Sequence, residues 1–254
     1  MRATKSICLN MVGEALSRLI FQLILVFGIA FMIAGFCFTY LAPGEEVKML
    51  KDLGLTVVAI FGLLLAIYLA VSTIGPEVER RTIYCLMAKP VKRHWFYLGK
   101  FLGSMAILAI SCLIMGLVLV FALYLKEQAW NWALLGAVSL TYIALVVVNA
   151  LVMAISTFAS PMLATVAGFT FWGLGYTQSY VHQLATHADN PTSRVMLEIM
   201  GVLIPDLQRF DLREAVVDLI HVPPSYVYLV TAYGLAYLVV MLAIGIIAFN
   251  QKQM

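Results

Sequence analysis

The sequence predicts an all-α polytopic membrane protein with six transmembrane helices. Three observations carry that prediction. The 254 residues are 63% hydrophobic and only 11% charged, where a soluble domain carries about 25% charged residues. Six apolar runs recur along the chain, each about as long as the 20 residues a helix needs to cross a bilayer. Between the second and third runs lies a segment, residues 75–93, holding two Glu and five Lys or Arg. Each such charge costs roughly 2.5–3.5 kcal/mol at the centre of a membrane helix, so this segment belongs in water or against a soluble partner.

The elements lie in order along a single transmembrane domain, residues 1–254. Residues 1–18 read as an amphipathic interfacial helix: Ile7, Cys8, Met11, Val12, Ala15, Leu16 and Leu19 recur at helical spacing, while Arg2, Lys5, Asn10, Glu14 and Arg18 take the other face. The spans are residues 19–41, 53–74, 95–125, 130–158, 162–181 and 226–249. All must be helical, because lipid offers no partner to an unpaired backbone group. The first run is too long for the apolar core of a signal peptide and comes after Glu14 and Arg18, so it is expected to be retained.

Residues 76–93 read as an inner helix. Gly75-Pro76 stops the preceding span, Glu77 and Glu79 favour a helix amino end, and Lys89 precedes a break at Pro90. Residues 182–224 form a hairpin of two short helices before the last span. Thr192 or Ser193 caps the first; Asp211 with Glu214 gives a capping-box-like start to the second, which runs to Ile220. Tyr40, Trp95, Trp130 and Tyr226 stand at span ends as interfacial anchors.

The Lys/Arg distribution sets the expected orientation. With the amino terminus inside, the inner segments hold ten cations against three acids, and the outer segments six cations against ten acids. Both termini are therefore expected in the cytoplasm of a cell (inner) membrane.

Four cysteines, Cys8, Cys37, Cys85 and Cys112, show no C-x-x-C spacing and read as reduced packing residues. No G-x-x-x-x-G-K-[ST] loop occurs, so ATP hydrolysis is not expected in this chain. The span centres hold no Asp, Glu, Lys, Arg or His, which weighs against an ion-coupled carrier. Asn149 and Gln178 are the most polar side chains of runs four and five. They are pathway candidates, although interhelical hydrogen bonding is the commoner use of such residues. His182, His187 and His221 lie outside with Met196 and Met200, a donor set that suits copper; chance polar residues and apolar fillers explain them as well, and no metal, cofactor or nucleic acid is expected.

In layout and motif the chain resembles the type-2 permease subunit of ABC exporters, as a half-transporter. Glu77-Val78-Glu79-Arg80-Arg81-Thr82, then Pro90-Val91-Lys92-Arg93 and Gly99-Lys100, is similar to the family's E-x-E-x-x-T … P-x-x-R … G-K pattern. Arg81 departs from it, since many members carry Gly there. Residues 10–18 resemble the family's amino-terminal stretch, with Glu14 and Arg18 four apart. Pro205-Asp206-Leu207-Gln208-Arg209-Phe210-Asp211-Leu212 is similar to the P-x-L-x-x-F-D-L segment of the NosY-like branch.

The resemblance implies that residues 76–93 are a coupling helix docking on a separate ABC ATPase subunit. The docking residues would be Glu77, Glu79, Arg80, Arg81, Ile83, Tyr84, Leu86, Met87, Lys89 and Arg93. It also implies a homodimer in membrane lipid, and an outer-face protein is a further candidate partner. The alternatives are an anchor or sensor coupling an ATPase to an outer-face complex without transport, and a channel or secondary carrier.

Overall fold

The computed structural model describes residues 8, 10–14, 17–38, 44–79, 93–128, 132–178, 180, 186, 201, 204–218, 220 and 222–251. Its elements are α1 (Leu19–Phe38), α2 (Glu46–Glu79), α3 (Arg93–Glu127), α4 (Trp132–Ser156), α5 (Pro161–Tyr176), a 3-10 turn (Leu207–Phe210), α6 (Arg213–Val217) and α7 (Pro224–Gln251). Among the described residues there is no strand. Five helices, α1 to α4 and α7, are long and apolar enough to cross a membrane. The predicted fifth span, residues 162–181, is represented by α5, whose 16 residues rise about 24 Å. It begins sharply, because Pro161 occupies its first turn and the Ser160 hydroxyl accepts from Leu163 N–H at 3.4 Å.

α4 is the axis of the bundle. It packs against α2, α3, α5 and α7, and Leu140, Val147, Val148, Ala150, Val152 and Met153 have no exposed surface. α1 and α7 lie at the periphery: their apolar windows are 22% and 17% buried, against 67% for α4. Their outward apolar side chains, such as Phe31, Leu229 and Val239, are exposed on the single chain.

Close approach is set by small residues. A Cβ on Gly168 of α5 would lie 2.7 Å from Val152 Cγ2 on α4. One on Gly234 of α7 would lie 2.7 Å from Ile143 Cγ2 on α4 and 2.9 Å from Phe210 Cε1.

α2 and α3 are longer than their predicted spans, at 34 and 35 residues, or about 50 Å each, against a hydrocarbon core of about 30 Å. Their ends therefore project. α2 does not stop at Gly75-Pro76 but runs through to Glu79. Pro76 removes one N–H, freeing the Ser72 carbonyl, and membrane helices tolerate this where neighbouring groups take up the loss. The short helix expected over residues 211–220 is also shorter, ending at Val217. No side chain caps its start; the Asp211 carboxylate accepts from Arg213 N–H at 3.0 Å and from the Arg213 guanidinium instead.

Candidate functional site

The bundle has two chemically different ends. The proximal end gathers residues 10–14, 17 and 18, the end of α2, the start of α3 and the end of α7. The distal end gathers the start of α2, the end of α3 and residues 204–218.

At the proximal end, Glu77 and Glu79 lie in the last turn of α2 and Arg93 opens α3. These helix ends bracket residues 80–92. Arg80, Arg81, Ile83, Tyr84, Leu86, Met87 and Lys89 fall in that stretch and lie outside the described residues, as do His182, His187 and His221. Among the described residues no group of three or more His, Cys, Asp or Glu is placed to hold a metal ion.

The first turns of α3, beyond Arg93, are locked to the rest of the bundle. Tyr97 has no exposed surface and lodges against Gly245 of α7, which also faces Ala154 of α4. Its ring lies 5.9 Å from that of Phe249, and Phe96 stacks on Phe249 at 6.4 Å. Lys100 Nζ stands 5.7 Å over the Phe96 ring.

The amino-terminal residues join the same end. Met11 is 5% exposed, and its Sδ would lie 2.6 Å from a Cβ on Gly103 of α3. Asn10, Gly13 and Glu14 are exposed, and Met11 and Val12 pack on protein; Ile7, Ala15 and Leu16 of the expected apolar face lie outside the described residues. Glu14 and Arg18 pair at 2.5 Å. That hydrogen bond, helped by the Arg18 and Lys100 charges, holds the Glu14 carboxyl below its ordinary range against partial burial.

Within the bundle, the two pathway candidates are both buried and hydrogen-bonded. Asn149, fully buried on α4, donates from Nδ2 to Ala66 O of α2 at 2.7 Å and accepts from Ser104 Oγ of α3 at 2.8 Å. It ties three helices together. Gln178, 4% exposed, donates from Nε2 to Gly201 O at 2.9 Å and to Ile204 O. It fastens the segment after α5 back onto that helix's end.

The distal end carries ion pairs that the sequence did not single out. Lys51 of α2 is 2% exposed and meets Glu127 of α3 at 3.0 Å. Lys126 pairs with Glu46 on the same two helices. In the sequence all four appear only as outer-face charges, and nothing short of the helix register reveals the pairing.

Residues 204–213 pack across the distal end of the bundle. Leu207 and Phe210 are buried, Leu207 against Gly175 of α5 and Phe210 against Gly234 of α7. Asp206 N–H donates to Tyr233 Oη at 3.0 Å, and Tyr226 Oη donates to Arg209 O at 3.0 Å. The Arg209 guanidinium sits 5.4 Å over the Tyr233 ring. Arg213 grips Asp211 with Nε at 2.9 and 2.8 Å from the two carboxylate oxygens, and donates from Nη1 to Thr56 Oγ1 of α2 at 2.8 Å.

The layout is thus a helical bundle in which the two longest helices frame a charged stretch at one end and residues 204–218 pack against the helix ends at the other. A family model described as ABC-2 family transporter protein matches residues 14–254. The chain belongs to the ABC-2 transporter family. It is a multi-pass permease subunit of an ABC transporter. The ABC-2 permease is a membrane transport component and is not itself catalytic. Membership implies an ABC ATPase partner. No curated protein matches the chain.

Proposed function

We propose that this ABC-2 permease is the membrane half of an ATP-driven exporter. It works as a homodimer, with residues 76–93 docked on a separate ATPase subunit. In this reading α5 completes the six spans, the proximal end with both termini faces the cytoplasm of the inner membrane, and the distal end faces out. The 205–212 segment supports placement in the NosY-like branch.

One observation carries the proposal: α2 and α3 project at the proximal end and bracket residues 80–92 with Glu77, Glu79 and Arg93. Acids at the end of α2 and a cation at the start of α3 suit a charged protein groove better than a lipid surface, since acids contribute little to membrane orientation. A push on this segment has a route inward. Through Tyr97 and Phe96 the start of α3 bears on Gly245 and Phe249 of α7, and through Met11 and Gly103 on the amino-terminal residues. ATP-driven closure of the partner would then shift α2, α3 and α7 together.

The test is recovery of the ATPase with the permease from native membranes at matched levels. Glu77→Ala combined with Glu79→Ala, and separately Leu86→Asp, should reduce recovery while leaving membrane insertion intact. Truncating one member of an interfacial charge pair costs about 2–5 kcal/mol. Equal recovery for all variants would sink the docking assignment and leave an anchor or sensor role in its place.

A further inference from the structure

α1 and α5 both pack on α2 without packing closely on each other. Between them they leave a groove of about 380 Å³, walled by Ile24 of α1, Leu64 and Val71 of α2, and Phe169 of α5. From Leu64 to Ser72 it follows α2 for about 12 Å. Two aliphatic hydroxyls line it, and each is spent on its own helix. Ser72 Oγ donates to Leu69 O at 3.4 Å and Thr165 Oγ1 to Pro161 O at 2.8 Å. The interior is therefore apolar.

The proximal rim is charged. Tyr68 lines the groove, and its phenol stands beside the guanidinium of Arg18, just ahead of α1. The Arg18 side chain is 40% exposed, open to a ligand. Hydrogen bonding to Glu14 first, then to Tyr68, holds it even more firmly protonated than usual, against partial burial. The Lys100 charge also reaches Glu14, so two cations face one acid there. Glu14 takes an N–H from Nη2 of Arg18, one of the five that a guanidinium carries. Both side walls begin at this end, α1 at Leu19 and α5 at Pro161, and helix starts carry positive partial charge.

An apolar slot under a positive rim matches a molecule with an anionic head and an apolar tail. A free anion would use the rim and leave the slot empty. The outward helices of a second copy would do the reverse: α1, α5 and α7 contain no Asp or Glu, so none of them brings an anion to Arg18.

We propose that the groove binds an anionic phospholipid, with its phosphate at Arg18 and one acyl chain between α1 and α5. The cytoplasmic leaflet is the one that presents anionic lipid, so the choice of leaflet rests on the orientation proposed above.

The experiment uses the full-length permease in mild detergent. It is given phosphatidylglycerol or phosphatidylcholine of identical chains, each with a diazirine on one acyl chain. Native mass spectrometry measures retained lipid, and peptide mapping places the photo-adducts. Phosphatidylglycerol should be retained over phosphatidylcholine, with adducts on the groove-lining residues between 64 and 72 and between 161 and 169. Arg18→Gln should lower its retention about fivefold, the worth of one basic side chain at an anionic surface. Glu14→Gln breaks the same ion pair but keeps the cation, so retention should not fall. Val71→Trp fills the groove and should abolish its adducts with helix content unchanged.

Equal retention of the two lipids would overturn the proposal. So would equal losses in Arg18→Gln and Glu14→Gln, which would make the ion pair a support of the rim and not a phosphate site. Adducts spread evenly over the outward faces of α1 and α7 would reduce the lipid to bulk solvation. Missing groove adducts, with a two-copy mass that falls to one copy in Val71→Trp, would give the groove to a second copy. None of these readouts depends on sidedness. An impermeant thiol reagent reaching Lys92→Cys from outside would instead count against the orientation, and would leave the lipid site standing in the opposite leaflet.

Discussion

Lys51 of α2 and Glu127 of α3 pair at 3.0 Å, with the lysine 2% and the glutamate 27% exposed. The two helices run antiparallel, so this contact joins the first turns of one to the last turn of the other. With Lys126 and Glu46 beside it, it sets the distal register of the two longest helices. Their proximal ends, which bracket residues 80–92, are thereby fixed relative to each other as well.

Glu127→Ala should destabilise the protein by about 3 kcal/mol, the low end of what breaking a buried pair costs, because Glu127 retains some access to water. The combined Lys51→Met and Glu127→Leu variant should recover most of the loss, since no charge is then left buried. Unfolding in mixed micelles measures both. A single variant as stable as the parent would show that Lys51 finds another partner.

Asn149 is expected to act as a tie and not as a pathway residue. Asn149→Leu should lower stability by about 1 kcal/mol, within the range of measured interhelical hydrogen bonds in membranes. Ser104→Ala, which removes one of its two interhelical partners, should lower it by less. Transport per folded molecule should stay unchanged in both. A change in substrate preference without loss of stability would return Asn149 to the pathway.

Two groups of helical glycines should respond differently to alanine. Gly234→Ala places a methyl 2.7 Å from Ile143 Cγ2 and 2.9 Å from Phe210 Cε1, an overpacking that costs about 1–3 kcal/mol. Gly168→Ala should behave alike. Gly136 and Gly173 have no atom within 4 Å of a new Cβ. Alanine there should be neutral or stabilising by up to about 1 kcal/mol, through helix propensity alone. Melting temperatures of the four variants test the division.

Acid should loosen the amino-terminal residues only slightly. The Glu14 carboxyl is held below its ordinary range by Arg18. Its contribution is therefore complete above the unfolded value and fades as pH falls through the lowered folded value. Both side chains are substantially exposed, so the pair is worth no more than about 0.2–1 kcal/mol. Glu14→Gln should shift the melting temperature by little at pH 7, and by less still as the pH falls through the lowered folded value. A large shift at any pH would mean that Glu14 has a buried partner.

Much of the fold was legible because the bilayer is a severe solvent. A run of apolar residues such as 133–156 has only one structure available to it there, and Lys/Arg clusters are kept out. Helix limits were less so. Pro76 reads as a stop in sequence, yet α2 passes it, because the loss of a single N–H can be absorbed by the surroundings of a helix.

Of the candidate site, the sequence by itself determined the charged stretch at residues 76–93 and its exclusion from lipid, since charge and hydropathy are properties of the residues alone. It also singled out Asn149 and Gln178 as the most polar side chains of their runs, for a pathway or for hydrogen bonding. Only the tertiary structure decided between those uses and supplied the partners. Asn149 meets Ala66 and Ser104, Lys51 meets Glu127, and Arg213 meets Thr56 across 157 residues of chain. Hydrogen bonds and ion pairs act over a few ångströms. They depend on the depth and rotation of each helix against its neighbours, which side-chain packing around α4 sets and hydropathy does not.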